Sequence, residues 1–134
     1  MRLEISRSLL DRMYAAAAAD AGEICGLLFG DDRAITDWQQ TRNVHPSSAD
    51  HFEIDPAALF AALRAERGGG QRLIGYVHSH PGGRAEPSAT DAAMAQPDGK
   101  LWLIVAEDQA SLWRSRAGGA VHGRFDRVAF TVAG

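Results

Sequence analysis

The chain has 134 residues, a formal net charge of −3 and a hydrophobic content of 46%. A chain of this length can bury one core without disulfides, so we predict a single domain over residues 1–134. The acidic balance predicts no basic surface for nucleic acid, which is therefore not an expected partner. No apolar run of about 18 residues and no signal-peptide pattern occur, so we expect no membrane segment and a cytoplasmic location. The only cysteine, Cys25, excludes an internal disulfide and is typical of a reducing compartment.

Strands and helices alternate in the first part of the chain. Alternation over Arg2–Ile5 predicts a short strand, and Ser6 then caps a helix that continues through the alanine run and ends at Gly22. Ile24–Gly30 is nearly all apolar and bounded by glycines, which is typical of a strand buried on both faces. A further strand is predicted over Ala34–Arg42.

The middle of the chain predicts a loop, a helix and a central strand. Residues 43–51 are polar and contain a proline, so we expect a loop. Asp55 followed by Pro56 is an N-cap with proline at the first helical position, and apolar residues at helical spacing continue to Glu66. After three glycines, residues 73–80 are predicted as the central strand.

The last third of the chain adds a short helix and the remaining strands. The helix is predicted from Ser88 to about Ala95. The strands are predicted over 101–106, 110–116 and 121–132, the last with a break near Gly123. This order of elements predicts an α/β fold with a mixed sheet flanked by helices. The sequence contains no glycine-rich phosphate loop, so a nucleotide cofactor has no support.

A candidate metal site lies where the central strand ends. His78 and His80 are two residues apart, so on a strand their imidazoles project to the same side and can reach one ion. Asp91 can supply a carboxylate from the next element. Three ligands on a tetrahedral Zn²⁺ leave the fourth position for water, whose pKa falls from roughly 16 to about 7 in such sites. The pattern therefore predicts a hydrolase.

The same residues resemble the signature of the JAMM (MPN+) metalloproteases. That signature is an upstream glutamate, His-x-His-Pro, and then a serine three residues before an aspartate. Every position is filled at the family's spacing, by Glu23, His78, His80, Pro81, Ser88 and Asp91. The surrounding sequence is also similar, so the resemblance covers essentially the whole chain, as in the compact prokaryotic members of the family.

The resemblance implies a fold, an activity and a role for each of these residues. The fold would be the MPN/JAB fold, a cytidine-deaminase-like sandwich. His78, His80 and Asp91 would bind one Zn²⁺, although such a mixed nitrogen and oxygen set also accepts Mn²⁺ or Fe²⁺. Glu23 would be the general base, and Ser88 would donate a hydrogen bond to the oxyanion.

The reaction implied by the family is hydrolysis of a peptide or isopeptide bond. For a compact member, the expected substrate is the Gly-Gly C-terminus of a ubiquitin-like or sulfur-carrier β-grasp protein, or a short peptide. A glycine tail leaves the scissile carbonyl free to approach the metal. A homodimer remains possible.

Other interpretations of these residues stay open. Ser88 and Asp91 taken alone also fit a helix-capping pair, and Cys25 is more typical of a core residue than of a nucleophile. The main alternative function is a non-catalytic MPN scaffold that uses the same fold as a binding module. The acidic balance argues against a DNA-repair member that shares the His-x-His-Pro loop, and the single cysteine argues against a zinc nucleobase deaminase.

Overall fold

The computed structural model describes residues 2–134, in which eight strands form one mixed sheet and three helices pack against it. The strands in chain order are β1 (Leu3–Ser6), β2 (Cys25–Gly30), β3 (Ala34–Thr41), β4 (Leu73–Ser79), β5 (Leu101–Val105), β6 (Ala110–Gly119), β7 (Gly123–Val128) and β8 (Phe130–Ala133). The helices are α1 (Arg7–Ala18), α2 (Pro56–Arg67) and α3 (Ala89–Met94). The predicted α/β class with a mixed sheet is confirmed.

The sheet has the strand order β7-β6-β5-β4-β2-β3-β1-β8. Strand β4 is parallel to β5 and antiparallel to β2, and β1 is parallel to both β3 and β8. The two strands that carry and adjoin the candidate site, β4 and β2, therefore lie side by side in the middle of the sheet. Central strands are covered on both faces, which explains why β2 and β4 are apolar along almost their whole length.

The sheet curls strongly around helix α1. Strands β7 and β8 lie at opposite edges of the sheet, although only Ala129 separates them in the chain. Because one residue spans at most about 3.6 Å, the two edges must approach each other at this point. The curl encloses Leu9, Leu10 and Met13 of α1 in the main core.

The predicted helix starts are confirmed, whereas the predicted end of α1 and the predicted bounds of the last strands are wrong. The side chain of Ser6 accepts a hydrogen bond from the backbone N–H of Leu9, and Asp55 caps α2 in the same way. Helix α1 ends at Ala18, before the predicted Gly22, because Asp20 accepts the N–H of Gly22 and closes a turn outside the helix. The strand predicted over 110–116 continues to Gly119, and the predicted break near Gly123 is the turn at residues 120–122. The segment predicted over 121–132 has a second break at Ala129, which was not predicted, because β8 leaves β7 to pair with β1.

Helix α2 differs from α1 in how little it buries. Only Ala62 of this helix is buried, whereas 57% of Phe60 and 39% of Leu63 are exposed to solvent. Over residues 2–134, none of the helices combines the length and the apolarity needed to cross a bilayer.

Gly75 allows the close approach of β4 and β5 that positions the end of β4. It pairs with Leu101, and a Cβ atom at Gly75 would collide with the Leu101 carbonyl oxygen. A side chain there would force apart the strand that ends in His78 and its parallel neighbour. Glycine at position 75, shortly before the histidines, is thus required by the packing of the sheet.

Candidate active site

Three potential metal ligands meet at the carboxyl end of β4. The Nε2 atoms of His78 and His80 lie 3.0 Å apart, and each faces one oxygen of the Asp91 carboxylate, at 3.3 Å from His78 and 3.1 Å from His80. His78 and Asp91 are buried, and His80 is largely buried. The structure therefore brings together the three residues that the sequence singled out.

The spacing of these atoms fits a metal ion. A tetrahedral zinc site with zinc–nitrogen bonds of about 2.0–2.1 Å has ligand atoms about 3.3 Å from one another. The three observed separations lie close to that value. Two imidazole nitrogens that face each other and a shared carboxylate in a buried site are a donor set suited to a divalent cation.

The loop after β4 determines which nitrogen of His80 faces the site. Nδ1 of His80 lies 2.8 Å from the backbone carbonyl oxygen of Arg84, which can only accept a hydrogen bond. His80 therefore carries a proton on Nδ1 and, when neutral, presents a lone pair on Nε2. Fixing the tautomer of a metal ligand through its other ring nitrogen is typical of histidine metal sites.

Asp91 is oriented by the start of helix α3. The Ser88 hydroxyl oxygen accepts the N–H of Asp91 at 3.0 Å, and Asp91 Oδ2 accepts the N–H of Ser88 at 2.9 Å. This reciprocal capping box confirms the capping interpretation of the two residues. It also leaves the Ser88 hydroxyl proton free to donate, because capping uses only a lone pair of that oxygen. The capping role and the role implied by the family are therefore compatible.

Glu23 lies two residues before the start of β2, beside the end of β4. The backbone N–H of Ser79 donates to the carbonyl oxygen of Ile24 at 3.0 Å, and the Ser79 hydroxyl accepts the N–H of Ile24 at 2.9 Å. Burial raises the pKa of the Glu23 carboxyl to about 7, while the charge of His80 opposes the rise and that of Asp91 adds to it. Within the described part of the chain, Glu23 Oε1 is buried without a hydrogen-bond partner. This carboxyl can therefore gain and lose a proton near neutral pH.

The ligand cluster is arranged so that its carboxylate stays ionised. Burial alone would raise the pKa of Asp91, but hydrogen bonds from His78 and His80 hold it well below its ordinary value. Burial lowers the pKa of His78 and keeps this ring neutral. Burial also acts to lower the pKa of His80, but its hydrogen bonds with Asp91 and Arg84 raise it overall.

Aromatic side chains hold the His78 ring in place. Phe52 stacks on it with ring centroids 4.3 Å apart and an angle of 17° between the planes, and Trp102 meets it edge-on at 5.5 Å. Nδ1 of His78 is buried without a partner among residues 2–134, so packing fixes this ring where a hydrogen bond fixes that of His80.

Recesses border His80 and the aromatic side chains that pack on His78. One, of about 310 Å³, is mainly apolar and has Phe52 and Trp102 in its wall. The other, of about 330 Å³, is bordered by His80 itself and by Tyr14, Asp20 and Glu107.

Sequence reasoning missed two residues that shape this site. Phe52 is an apolar residue in a polar segment, and this contrast was its only signal in the sequence. Asn43 follows β3 and bonds to four backbone groups around Glu23 and Phe52, which no local pattern reveals. Cys25 is fully buried, as expected of a core residue.

Comparison with known proteins identifies the family. Residues 6–117 match the family described as prokaryotic homologs of the JAB domain. The chain belongs to this family. The match includes all six residues of the signature, so the resemblance to the JAMM (MPN+) proteins is confirmed at the level of the family.

Two relatives of this prokaryotic JAB family have names that describe an activity. A protein named desampylase from Haloferax volcanii is 35% identical over 104 residues, which cover 75% of each chain. A protein from Thermus thermophilus, named probable TtuB-protein conjugate cleaving protease, is 34% identical over 94 residues, which cover 70% of this chain and 64% of that protein.

Solved structures of similar proteins share the fold. A protein from Desulfitobacterium hafniense, solved in solution, superposes with a TM-score of 0.81 at 25% identity, covering 97% of this chain and 92% of that one. A JAB1/MPN domain protein from Archaeoglobus fulgidus superposes with a TM-score of 0.60 at 21% identity, covering 97% and 98% of the two chains. The predicted MPN/JAB fold is thereby confirmed.

Proposed function

We propose that this protein is a zinc-dependent isopeptidase that cleaves conjugates of a ubiquitin-like protein at its Gly-Gly C-terminus. The observation that carries the proposal is the buried cluster of His78, His80 and Asp91 with the protonatable Glu23 beside it. The names of the two relatives support a JAMM-type isopeptidase and a ubiquitin-like conjugate as substrate.

Each residue of the site has a defined role in this reaction. Zinc held by the three ligands would lower the pKa of a coordinated water molecule and polarise the scissile carbonyl. Glu23 takes a proton from the attacking water and delivers it to the leaving lysine amine, for which a pKa near neutrality is suited. The free hydroxyl proton of Ser88 is donated to the oxyanion.

The recess bordered by His80 and the apolar recess with Phe52 and Trp102 in its wall offer surfaces for substrate residues next to the scissile bond. The glycine tail would cross the ligand cluster, because glycine has no side chain to hinder approach of the carbonyl. The cytoplasmic location, the absence of a nucleic-acid partner and a possible homodimer remain predictions from the sequence.

The test is cleavage of a defined conjugate by the purified, zinc-loaded protein. The substrate is a tagged β-grasp protein ending in Gly-Gly and joined to a lysine side chain. We expect Glu23→Gln to retain zinc while its kcat falls by about 10²- to 10⁴-fold, because the general base is lost. Ser88→Ala should lower kcat by about 10²- to 10³-fold through loss of one oxyanion donor.

The matched control is Glu4→Gln, the same chemical change at an exposed carboxylate on β1. It should leave kcat unchanged. If the zinc-loaded parent leaves the conjugate and a broad set of peptides intact, the chain is instead a scaffold of the same fold.

A further inference from the structure

The side chain of Asn43 connects two segments that border the active site. Its Nδ2 atom donates to the backbone carbonyls of Glu23, at 2.9 Å, and His51, at 2.8 Å. Its Oδ1 atom accepts the N–H groups of His45 and Glu53, both at 3.1 Å. A side-chain amide has two donors and two acceptor lone pairs, so every hydrogen-bonding position of Asn43 is used.

The partners of Asn43 include the residue that carries the general base and both neighbours of Phe52. His51 and Glu53 flank Phe52, whose ring stacks on the ligand His78. The N–H of Glu23 is bonded to the carbonyl of Ser48 at 2.8 Å, in the same segment. The two backbone groups of Glu23 are therefore both held by residues 43–48, outside the sheet.

The Glu23 side chain depends on this backbone anchorage for its direction. Its Oε1 atom is buried without a hydrogen-bond partner among residues 2–134. The position of the carboxyl relative to the ligands therefore follows from where the Glu23 backbone is held. A shift of about 1 Å in a reacting group can reduce a rate by about 10²-fold.

We propose that Asn43 is a positioning residue that fixes Glu23 and Phe52 relative to the metal ligands. The proposal rests on the function proposed above. Asn43 touches neither the ligands nor the reacting atoms and acts through the backbone of Glu23. A role limited to stability would lower the free energy of unfolding and leave the kinetics of the folded protein unchanged.

Two substitutions distinguish the hydrogen bonds that the Asn43 amide donates from those that it accepts. Asn43→Ala removes all four hydrogen bonds. Asn43→Asp keeps an oxygen for the N–H groups of His45 and Glu53 but has no donor for the carbonyls of Glu23 and His51. If Asn43 acts by holding the backbone of Glu23, both variants should have a lower kcat than the parent.

The matched control is Ser115→Ala on β6. Ser115 is fully buried, and its hydroxyl donates to Asp98 at 3.0 Å and to the Lys100 carbonyl at 3.3 Å, not to Glu23, Asn43 or the ligand cluster. Loss of this hydrogen bond should cost stability without changing catalysis. All variants are compared at a temperature at which each is folded.

The first readout is the kinetics of conjugate cleavage together with zinc affinity. We expect both Asn43 variants to lose about 10- to 100-fold in kcat, with KM and zinc affinity within about threefold of the parent. Ser115→Ala should keep the kcat of the parent. A kcat for Asn43→Ala within about twofold of the parent overturns the proposal.

The second readout needs no catalysis and uses amide hydrogen exchange measured by NMR. In Asn43→Ala we expect the amide of Glu23 to lose protection, while those of Ser79 and His80, which bond to Ile24 and Val105, stay protected. Unchanged exchange at Glu23 overturns the proposal even if the parent proves inactive. An inactive parent with lost protection at Glu23 overturns the proposed function and supports the anchorage.

Discussion

Glu23 is the residue whose chemistry folding changes most clearly. Its carboxyl lies against the ligand cluster and is largely removed from water, so its pKa rises from 4.5 to about 7. A group whose pKa differs between the folded and unfolded chain makes stability depend on pH. The candidate base is therefore also a source of pH-dependent instability.

We predict that this instability appears in the metal-free protein as pH rises. The folded state holds the Glu23 proton up to a pH of about 7, whereas the unfolded chain releases it near 4.5. The favourable contribution of the protonated carboxyl is complete below that lower value and is lost as pH rises to about 7. Since one pKa unit corresponds to about 1.4 kcal/mol, and residual water screens the group, we expect a loss of about 1 to 2 kcal/mol.

The measurement is urea unfolding of the parent and of Glu23→Gln, both without metal, at about pH 5 and about pH 8. The glutamine side chain is neutral at both values and should lack this contribution to the fall in stability. Other titrating groups are common to both proteins, so the difference between the two proteins isolates Glu23. Equal pH dependence of the two proteins would contradict the raised pKa.

At the scale of elements, the loop between β4 and α3 is held against β6. The Ser111 hydroxyl donates to the carbonyl of Ala85, and Trp113 Nε1 donates to Ser111 at 2.7 Å. Ala85 directly follows Arg84, whose carbonyl fixes the tautomer of His80. Strand β6 thus supports the loop that orients His80 and leads on to Ser88 and Asp91.

We predict that Ser111→Ala weakens zinc binding about 10-fold, because an outer hydrogen bond that orients a ligand is lost. Zinc affinity is measured by competition with a chromogenic chelator. Ser115→Ala on the same strand is the control. It also removes the hydrogen bond of a buried hydroxyl, which contributes about 1 kcal/mol to stability, but it does so away from this loop. Equal zinc affinities of the two variants would mean that the support from β6 does not reach His80.

The elements also show which parts of the site could be predicted from the sequence. His78 and His80 share a side because strand alternation is local, and the capping box of Ser88 and Asp91 spans three residues. The hydrogen bonds of Asn43 and Ser111 reach residues 20 and 26 positions away in the chain, and no periodic pattern in the sequence predicts them. The break at Ala129 was missed for a related reason, since β8 pairs with the first strand of the chain.

At the scale of the whole molecule, the candidate metal ligands come from different parts of the fold. His78 and His80 belong to β4 and its end in the centre of the sheet, and Asp91 belongs to α3. An ion held by all three would tie the helix to the sheet. A ligand that binds only the folded chain stabilises it by about 2.7 kcal/mol at a free concentration 100 times its Kd.

We predict that zinc at such a concentration raises the Tm of the parent by about 10 °C, because 1 kcal/mol corresponds to roughly 3 to 5 °C for a chain of this size. Excess chelator should reverse the rise. In Asp91→Ala the ligand from α3 is missing, so the same zinc concentration should raise Tm by less than about 2 °C. Thermal unfolding followed by circular dichroism gives all these values.

The control for this prediction is Asp32→Asn, which removes a carboxylate from an exposed pair with Arg72 at 3.2 Å. Exposed ion pairs contribute little to stability, so this variant should respond to zinc as the parent does. An equal zinc-induced rise in Asp91→Ala would place the stabilising ion elsewhere on the chain. A rise confined to proteins that keep Asp91 would show that the ion joins α3 to the centre of the sheet, so that loading the site and completing the fold are coupled events.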